Sequence, residues 1–381
     1  MIPRGGAAVV GVGEAGVGRA APGSTPLDLI AHATYRALDD AGLRLSDVDG
    51  LFTASAYYQL PGLSVGEYLG LRPRYTDTTA LGGSSFIAHL GHAATAIFAG
   101  MCDVALIVYG STQLSDSGRL VSSNEGSRYE TPFRPRYPVT MYALAAARHI
   151  HQYGTTRQQL AAVAVAARQW AQLTPGAFAQ NPLTVEDVLA ARMVSSPLTT
   201  GDCCLVTDGG GALVVTKSER ARDLRQPPIH LLGYGEAQWH RNITAMPDLT
   251  VTAATESGAR AYASAGLTVS DVDVFELYDA FTINTVLFLE DLGVCAKGEG
   301  GELAASGAIA PGGSLPVNTN GGGLSYCHPG MYGIFALVEA VRQLRGGLGA
   351  RQQRADVALV HGNGGVLSSQ VTALLGTGAT L

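Results

Sequence analysis

Lysine is nearly absent from this 381-residue chain: of its 25 basic residues, only Lys217 and Lys297 are lysines. A mechanism that passes through a lysine Schiff base therefore has two candidate residues at most. The basic residues form no cluster and the formal net charge is −6, so no nucleic-acid partner is expected. Charged residues make up 15% of the chain, against about 25% in an average domain. So little charge, with 46% hydrophobic residues, predicts a large core and buried subunit interfaces.

Cysteine is also scarce, and its distribution argues against two kinds of site. The five cysteines form no CxxC pair, so the sequence predicts neither a disulfide framework nor a zinc site, and we expect no metal in this chain. This usage favours the reducing cytoplasm, and the abundance of arginine, alanine and glycine is typical of a GC-rich bacterial genome. No apolar run reaches about 18 residues, and residues 1–16 lack a signal-peptide core. Neither a membrane span nor secretion is therefore expected.

Three segments recur in the same order along the chain, which indicates an internal duplication. The pairs are VVGVGEA (9–15) with LLGYGEA (231–237), AGLRLSDVDGLF (41–52) with AGLTVSDVDVFEL (265–277), and CDVALIV (102–108) with ADVALVH (355–361). Each copy alternates short apolar runs with helical patterns. This alternation predicts an α/β fold with largely parallel sheets.

The hydrophobic pattern predicts the positions of several elements. A helix should begin at Pro26, capped by Thr25, and end at Gly42. Further helices are predicted at 86–99, 140–152, 156–172, 252–264 and 331–345, and strands at 7–12, 104–109, 206–215 and 357–360. Residues 112–138 are polar and predict a loop. We interpret the chain as a first half at 1–111 and 201–225, an insertion at 112–200 and a second half at 226–381.

Two patterns favour a structural interpretation over a functional one. Gly11-x-Gly13-x-x-Gly16 matches the dinucleotide fingerprint, but the next helix opens ten residues later, so a turn after the first strand is predicted. His89 and His92 share one helix face without acidic or cysteine companions nearby in sequence. They are therefore expected to pack in the core rather than bind a metal.

Corresponding positions of the two copies carry glycine-rich helix starts, where free backbone N–H groups can receive negative charge. The first is Gly82–Ser85, and the second is Tyr326–Gly330, which contains His328. Tyr278 lies where a strand of the second copy ends, at the sheet edge where α/β sites are built. The segment HGNGG at 361–365 ends the last predicted strand and can present backbone donors as an oxyanion hole.

Taken together, these segments resemble the thiolase superfamily, in its sterol-carrier-protein or lipid-transfer-protein branch. The resemblance spans nearly the whole chain and rests on VVGVGE, LDLIAHATYRALDDAGLRLSDVDG, AGMCDVALIVYG, LTTGDCCLVTDGGGALVV, ELYDAFT, CAKGEGG, NTNGGGLSYCHPG and HGNGG. It implies a five-layered α/β/α/β/α fold of two pseudo-symmetric halves, with a loop domain from the first half. It also implies a homodimer and a coenzyme A thioester ligand, with no covalently bound cofactor.

The chain departs from the thiolase pattern at the position of the nucleophile. Thiolases carry a reactive cysteine at the start of the first-copy helix, whereas this chain has TALGGSS at 79–85 and no cysteine in 1–101. By the same resemblance, Tyr278 stands where the branch has the histidine of its HDCF-type motif. His328 keeps the histidine of the GHP motif, and His361 stands at the second thiolase cysteine.

Loss of the nucleophile removes ordinary thiolysis but leaves enolate chemistry, as in the thiolase-like aldolases of steroid side-chain degradation that the chain resembles. We expect retro-aldol cleavage of a β-hydroxyacyl-CoA, with Tyr278 or His328 accepting the β-hydroxyl proton. His328, or the backbone N–H groups of Gly83 and Gly364, would stabilise the enolate, and His361 would protonate or orient. The resemblance also implies a partner with an OB-fold and a zinc ribbon, often coupled to an enoyl-CoA hydratase.

Three alternatives remain open from the sequence. The first is an acyltransferase that uses Ser84, Ser85 or Cys327 as an unusual nucleophile. The second is a non-catalytic subunit that binds acyl-CoA or lipid, and the third is a scaffold for a hydratase in which the partner holds the activity. Lys297 is interpreted as structural, because an enolate route needs no Schiff base.

Overall fold

The structure is a computed structural model that describes residues 3–118 and 128–381. Within these ranges the strands are β1 (Ala7–Gly18), β2 (Gly50–Thr53), β3 (Tyr75–Asp77), β4 (Val104–Ser111), β5 (Met193–Ser195), β6 (Leu198–Thr199), β7 (Asp208–Lys217), β8 (Ile229–Gln238), β9 (Val274–Leu277), β10 (Val357–Gly364) and β11 (Ser369–Gly376). The helices are α1 (Pro26–Ala41), α2 (Pro61–Leu69), α3 (Ser85–Phe98), α4 (Gln113–Asp116), α5 (Val139–Tyr153), α6 (Arg157–Gln172), α7 (Val185–Ala190), α8 (Ser218–Ala221), α9 (Ala254–Ala265), α10 (Thr282–Asp291), α11 (Gly300–Ala305) and α12 (Gly333–Arg345).

Helix α1 shows how local sequence signals set the element bounds. The Thr25 side chain accepts from the Asp28 N–H, and the Asp28 carboxylate accepts from the Thr25 N–H, which completes a capping box. Gly42 ends the helix with φ of 73°, a left-handed conformation that suits glycine. The predicted bounds of this helix are confirmed. The other predicted helices and strands are also present, within a few residues at most ends.

One sheet of nine strands runs through both halves in the order β3-β2-β4-β7-β1-β8-β11-β10-β9. The pairs β2–β3, β2–β4 and β9–β10 are parallel, whereas β1, β7, β8 and β11 pair antiparallel with their neighbours. The prediction of largely parallel sheets is therefore wrong. In the first half, the insertion returns the chain to the end of the sheet where β4 stops, so that Ser111 of β4 pairs with Gly209 of β7.

The predicted duplication is visible in this strand order. Strands β8, β9, β10 and β11 repeat the arrangement of β1, β2, β4 and β7, and a single bridge from Val317 to Phe275 stands where β3 stands beside β2. Helix α1 packs on the outer face of the first half-sheet and α9 on that of the second, while α3 and α12 contact both half-sheets from between them. The α/β/α/β/α fold class is thereby confirmed.

The glycines of the repeated VGVGE and LGYGE segments lie inside strands, so the prediction of a turn at Gly11 and Gly13 is wrong. A Cβ on these residues would lie 2.1 and 2.2 Å from backbone oxygens of α1. The matching Gly233 and Gly235 of β8 would each place a Cβ 2.3 Å from a backbone oxygen of α9. In both halves the missing side chains let the outer helix lie close against the sheet.

Between β4 and β7 the chain forms the excursion that contains α5 and α6. The 112–138 segment, predicted to be a loop, includes the short helix α4, and its residues 119–127 lie outside the described residues. A buried cluster joins α5 to α10, since His149 Nε2 is 3.1 Å from both carboxylate oxygens of Glu290. Lys297 Nζ approaches Asp291 Oδ1 to 2.6 Å and Glu290 Oε2 to 3.4 Å. These contacts hold the excursion against the second half.

Candidate active site

The structure brings together Tyr278 and His328, two of the three residues that the sequence predicts to be catalytic. Tyr278 directly follows β9, and its N–H donates to the backbone oxygen of His361 at 2.9 Å. Its hydroxyl oxygen is 3.0 Å from His328 Nε2 and accepts from the Tyr332 N–H at 3.2 Å. The carbonyl oxygen of Gly330, 3.2 Å away, is a second possible acceptor for the hydroxyl hydrogen. The two rings meet edge to face at 89°.

Burial keeps both members of this pair neutral near pH 7. Tyr278 is 4% exposed and His328 is 2% exposed. Loss of hydration disfavours the charged forms, so burial lowers the pKa of His328 to about 4 and raises the pKa of Tyr278 well above its ordinary value of 10. A neutral imidazole can accept the proton of a neutral phenol at 3.0 Å. The pair can therefore relay a proton without either group being charged beforehand.

The backbone of His328 is held on both sides. Its N–H donates to Thr207 Oγ1 at 3.0 Å, and its carbonyl oxygen accepts from Gln113 Nε2 at 2.5 Å. The residue lies between a π-helical turn, Gly322–Tyr326, and α12, which begins only at Gly333. The prediction of a helix start directly at 326–330 is therefore wrong, and His328 is positioned by these two hydrogen bonds rather than by the first turn of a helix.

Asp279, next to Tyr278, holds the π-helical turn. Its carboxylate accepts from the backbone N–H of Gly323 at 2.6 Å and of Leu324 at 3.3 Å. Burial outweighs these hydrogen bonds and raises the pKa of Asp279 to about 7. The turn that leads to His328 is thus tied to the strand end that carries Tyr278.

The two glycines predicted as oxyanion donors lie at the same cavity as the Tyr278–His328 pair. Gly83 belongs to a 3₁₀ turn, Gly82–Ser84, that leads into α3, and a Cβ there would lie 2.0 Å from the Tyr278 ring. Gly364 is the last residue of β10, and a Cβ there would lie 1.5 Å from the backbone oxygen of Leu81. Only glycine lets these two turns approach each other and the tyrosine so closely.

The cavity has a volume of about 340 Å³, within the range of small-molecule sites. Its polar lining residues include Tyr278, His328, Asn363 and Ser369, and the segment after β8 adds His240, Arg241 and Asn242. Its apolar and aromatic lining residues are Tyr137, Pro138, Met141, Tyr142, Ile243, Phe281 and Met331. This mixed lining suits a substrate with both a reactive polar end and an apolar group.

His361 is not brought to this cavity. The strand that carries it continues to Gly364 and is followed by β11, so the prediction that HGNGG ends the last strand is wrong. Its ring is fully buried, with Nδ1 2.9 Å from Thr372 Oγ1 and Nε2 2.8 Å from Gln370 Oε1. Asn363, one pleat nearer the strand end, lines the cavity instead.

The alternative nucleophiles also lie outside the cavity lining. Ser84 Oγ donates to the Leu81 oxygen and approaches Ser369 Oγ at 3.0 Å, and Ser85 Oγ donates to the Gly82 oxygen at 2.6 Å. Cys327 is fully buried, and burial raises the pKa of its thiol well above 9. No titratable base contacts either serine among the described residues, so none of the three is activated for attack.

The sequence did not indicate the part that Tyr332, Tyr142 and Asn363 play in this site. Tyr332 contributes a backbone N–H, which no side-chain pattern reveals, and Tyr142 reaches the cavity from the excursion through long-range packing. Asn363 could have been found by continuing the β10 alternation to Gly364. Within residues 3–118 and 128–381, no group of three His, Cys, Asp or Glu side chains stands where it could hold a metal ion, and no helix is long and apolar enough to cross a membrane.

Known proteins resemble this chain over most of its length. Residues 235–377 match the family model described as thiolase C-terminal domain-like. The chain is 35% identical to the 17-hydroxy-3-oxo-4-pregnene-20-carboxyl-CoA lyase of Mycobacterium tuberculosis, over 89% of this chain and 92% of that protein. The chain belongs to the thiolase superfamily, in its sterol-carrier-protein-type, aldolase-like branch. A solved Ltp2-ChsH2(DUF35) aldolase matches it with a TM-score of 0.90 and 32% identity, over 99% of each chain.

Another thiolase-superfamily relative has a different named activity. The acetyl-CoA acetyltransferase of Methanothermobacter thermautotrophicus is 32% identical over 89% of this chain and 91% of that protein. The superfamily alone therefore does not choose between a lyase and an acyltransferase. The site favours a lyase, because no cysteine is among the cavity-lining residues of the described chain and the Tyr278–His328 pair lies at the cavity.

Proposed function

We propose that this chain is a carbon–carbon lyase that cleaves a β-hydroxyacyl-CoA by a retro-aldol reaction. The observation that carries the proposal is the neutral Tyr278–His328 pair, 3.0 Å apart, in a cavity whose lining residues include no cysteine. The products are a ketone or aldehyde and an acyl-CoA shortened by the lost carbonyl fragment. The relatives named as a lyase and an aldolase support this reaction class.

The reaction begins with removal of the β-hydroxyl proton. The Tyr278 oxygen takes this proton while the tyrosine's own proton passes to His328 Nε2, so Tyr278 stays neutral and His328 becomes an imidazolium. The oxygen electrons form the carbonyl double bond, and the Cα–Cβ bond breaks. Its electron pair moves into the thioester as an enolate. The enolate then takes up at Cα the proton held by His328, returned through the Tyr278 hydroxyl, which gives the shortened acyl-CoA and restores both neutral side chains.

Enolate formation places negative charge on the thioester oxygen. Backbone N–H groups of Gly83 and Gly364, both at the cavity wall, are the donors we assign to that oxygen. The acyl group stays on coenzyme A throughout, so no covalent acyl-enzyme is required. Coenzyme A arrives as part of the substrate, so no resident cofactor is required. His361, which lies behind the wall, cannot protonate the substrate directly and contributes only through its neighbours.

The substrate we propose carries a bulky apolar acyl group such as a steroid side chain. The apolar lining residues of the cavity, among them Met141, Ile243, Phe281 and Met331, supply surface for such a group. The relative from Mycobacterium tuberculosis is named for a hydroxylated pregnene carboxyl-CoA, which has this combination of apolar ring system and thioester. We place the reaction in the bacterial cytoplasm.

We further propose a complex with a DUF35-type partner that carries an OB-fold and a zinc ribbon and can be fused to an enoyl-CoA hydratase. The Ltp2-ChsH2(DUF35) aldolase is the structural support. The excursion also exposes Tyr129 by 83% and Phe133 by 85%, close in sequence to Tyr137 and Pro138 of the cavity lining. Large aromatic groups this exposed are typical of interface residues.

A homodimer is the second assembly we propose. Strand β3 stands at one edge of the nine-stranded sheet, where a second copy can add its own edge strand. Leu63 of α2 is 71% exposed, and Met101, which follows α3, is 49% exposed. Light scattering of the purified chain measures its mass, and Thr76→Lys, at an exposed position of β3, should weaken dimerisation.

An acyltransferase remains the second candidate, favoured by the acetyl-CoA acetyltransferase relative. It requires a covalent acyl-enzyme, whereas the retro-aldol route does not. Mass spectrometry of the intact protein after incubation with acetyl-CoA distinguishes them, because an added acetyl group on Ser84, Ser85 or Cys327 would contradict the lyase. A non-catalytic acyl-CoA or lipid-binding subunit, or a scaffold for a hydratase, would instead bind ligand without Tyr278-dependent product.

A further inference from the structure

A chain of buried hydrogen bonds leads from the cavity wall to His361. The Tyr142 hydroxyl donates to the backbone oxygen of Gly365 at 3.1 Å, and a carbonyl oxygen can only accept. The Tyr142 oxygen is then an acceptor, and the Asn363 amide donates to it at 2.8 Å, with the Asn284 side chain as a further neighbour. This assignment turns the Asn363 nitrogen toward Tyr142 and its oxygen toward Gln370.

The same logic fixes each following group. The Asn363 oxygen accepts from Gln370 Nε2 at 2.8 Å, so the Gln370 oxygen faces His361 and accepts from its Nε2–H at 2.8 Å. His361 Nδ1 then carries no proton and accepts from Thr372 Oγ1 at 2.9 Å. Burial lowers the pKa of His361 to about 4, which agrees with a neutral ring that has one donor and one acceptor nitrogen.

Asn363 and Tyr142 are the two members of this chain of side chains that line the cavity. The Asn363 amide nitrogen has two hydrogens, and among the described residues it has one acceptor, Tyr142. Asn363 lines the cavity together with Gly364 and Tyr278. A second N–H is therefore available to a ligand.

We propose that the Asn363 side-chain amide is a further catalytic donor to the thioester oxygen, and that His361, acting through Gln370, is a positioning residue that keeps the amide in its donating orientation. This inference rests on the proposed retro-aldol function. It gives the enolate a side-chain donor besides the backbone N–H groups of Gly83 and Gly364. His361, which does not reach the cavity, then acts on the substrate indirectly by orienting the Asn363 amide.

The positioning role follows from the donor–acceptor order. If His361 could not donate to Gln370, the Gln370 amide would be free to rotate and present its oxygen to Asn363. Asn363 would then turn its nitrogen toward Gln370 and its oxygen toward Tyr142, and the N–H would leave the position it holds beside Tyr142. The orientation of a cavity group is thus set by a residue that does not touch the substrate.

Kinetics of near-isosteric variants provide the first test. Asn363→Asp removes the donor, and we expect kcat to fall about 10²-fold, as for loss of one oxyanion-hole donor, with KM little changed. Gln370→Glu cannot donate to Asn363, and His361→Leu cannot donate to Gln370, so each should lower kcat by about 10-fold or more through the turned amide. His361→Gln restores an N–H donor and should recover most of the activity lost in His361→Leu.

Binding gives a readout that does not depend on turnover. Propionyl-CoA carries a thioester oxygen, whereas S-propyl-CoA replaces that carbonyl with a methylene group. The wild-type chain should bind propionyl-CoA more tightly than S-propyl-CoA. The Asn363 hydrogen bond should contribute a factor of about 2 to 10 to this affinity ratio. By calorimetry, Asn363→Asp and Gln370→Glu should lose that part of the ratio. Ser257→Ala, which removes a 2.9 Å hydrogen bond to Thr372 at the far end of the chain, is the matched control and should keep it.

Two results would overturn the proposal. One is an unchanged affinity ratio in Asn363→Asp with kcat within twofold of wild type. The other is equal kcat in His361→Leu and His361→Gln, with both variants folded by circular dichroism. If the wild type cleaves no substrate but Asn363→Asp still lowers the propionyl-CoA to S-propyl-CoA affinity ratio, the lyase function fails and the Asn363 donor stands. If the wild type cleaves the substrate but Asn363→Asp leaves this affinity ratio unchanged, the lyase function stands and the Asn363 donor fails.

Discussion

The Tyr278 hydroxyl oxygen lies 3.0 Å from His328 Nε2, although 50 residues separate them along the chain. Tyr278→Phe removes the hydroxyl but keeps the ring that packs against Gly83. We expect kcat to fall by about 10² to 10⁴, the usual worth of a general acid–base group, with little change in KM. Steady-state kinetics with a β-hydroxyacyl-CoA measures this. A kcat within threefold of wild type would remove Tyr278 from the chemistry.

The buried imidazole of His328 predicts an unusual pH profile. Because burial lowers its pKa to about 4, the ring stays neutral and able to accept a proton well below the ordinary histidine value of 6.5. We expect kcat/KM to stay nearly constant from about pH 7.5 down to about pH 5.5 and to fall only as the pH nears about 4. Circular dichroism at each pH must show an intact fold, since a lowered histidine pKa also removes stability as the pH falls below 6.5. Asp279, whose pKa burial raises to about 7, titrates in this range as well. An acid limb near pH 6.5 that persists in Asp279→Asn would contradict this assignment.

Close packing of Gly83 on Tyr278 predicts that a single methyl group harms catalysis. In Gly83→Ala the new Cβ would lie 2.0 Å from the tyrosine ring, so the ring must move. A displacement of about 1 Å lowers kcat by about 10²-fold when the moved group takes part in the reaction. Gly378→Ala is the matched control, because nothing lies within 4 Å of a Cβ there. Equal kinetics in the two variants would show that Tyr278 need not hold its position.

Lys297 is a structural cation in this account, so its removal should affect stability rather than chemistry. It approaches the buried carboxylates of Asp291 at 2.6 Å and Glu290 at 3.4 Å. Lys297→Met leaves this negative charge uncompensated and should lower the free energy of unfolding by on the order of 3 kcal/mol. Urea denaturation measures the loss, with Lys217→Met as the control. Borohydride trapping of a substrate adduct on Lys297 would instead reveal Schiff-base chemistry.

Sequence patterns predicted the parts of this fold that are determined by residues close together in the sequence. Helix α1 was predicted from Thr25, Asp28 and Gly42 because caps act within one turn. Tyr278 and His328 were predicted because they lie in motifs that resemble the thiolase pattern. The glycines of β1 were misread as a turn, because their reason is the close approach of α1, a contact that the sequence does not display.

The errors at the site also have physical causes. His361 was predicted at a strand end because β11 was not recognised, and the extra length of β10 moves the cavity position to Asn363. Tyr142 was missed because it reaches the cavity from the excursion, where it stacks on Phe281 with ring centroids 4.4 Å apart. Such long-range packing is set by the assembled halves and not by the local pattern of the helix.

The most direct test of the central claim is a single product analysis. The chain, with and without a DUF35-type partner, is incubated with 17-hydroxy-3-oxo-4-pregnene-20-carboxyl-CoA, and products are identified by liquid chromatography and mass spectrometry. The account predicts a 17-ketosteroid and propionyl-CoA in equal amounts, formed by the wild type and strongly reduced in Tyr278→Phe. Folded wild-type protein that binds this thioester but forms no ketone, even with the partner, would contradict it.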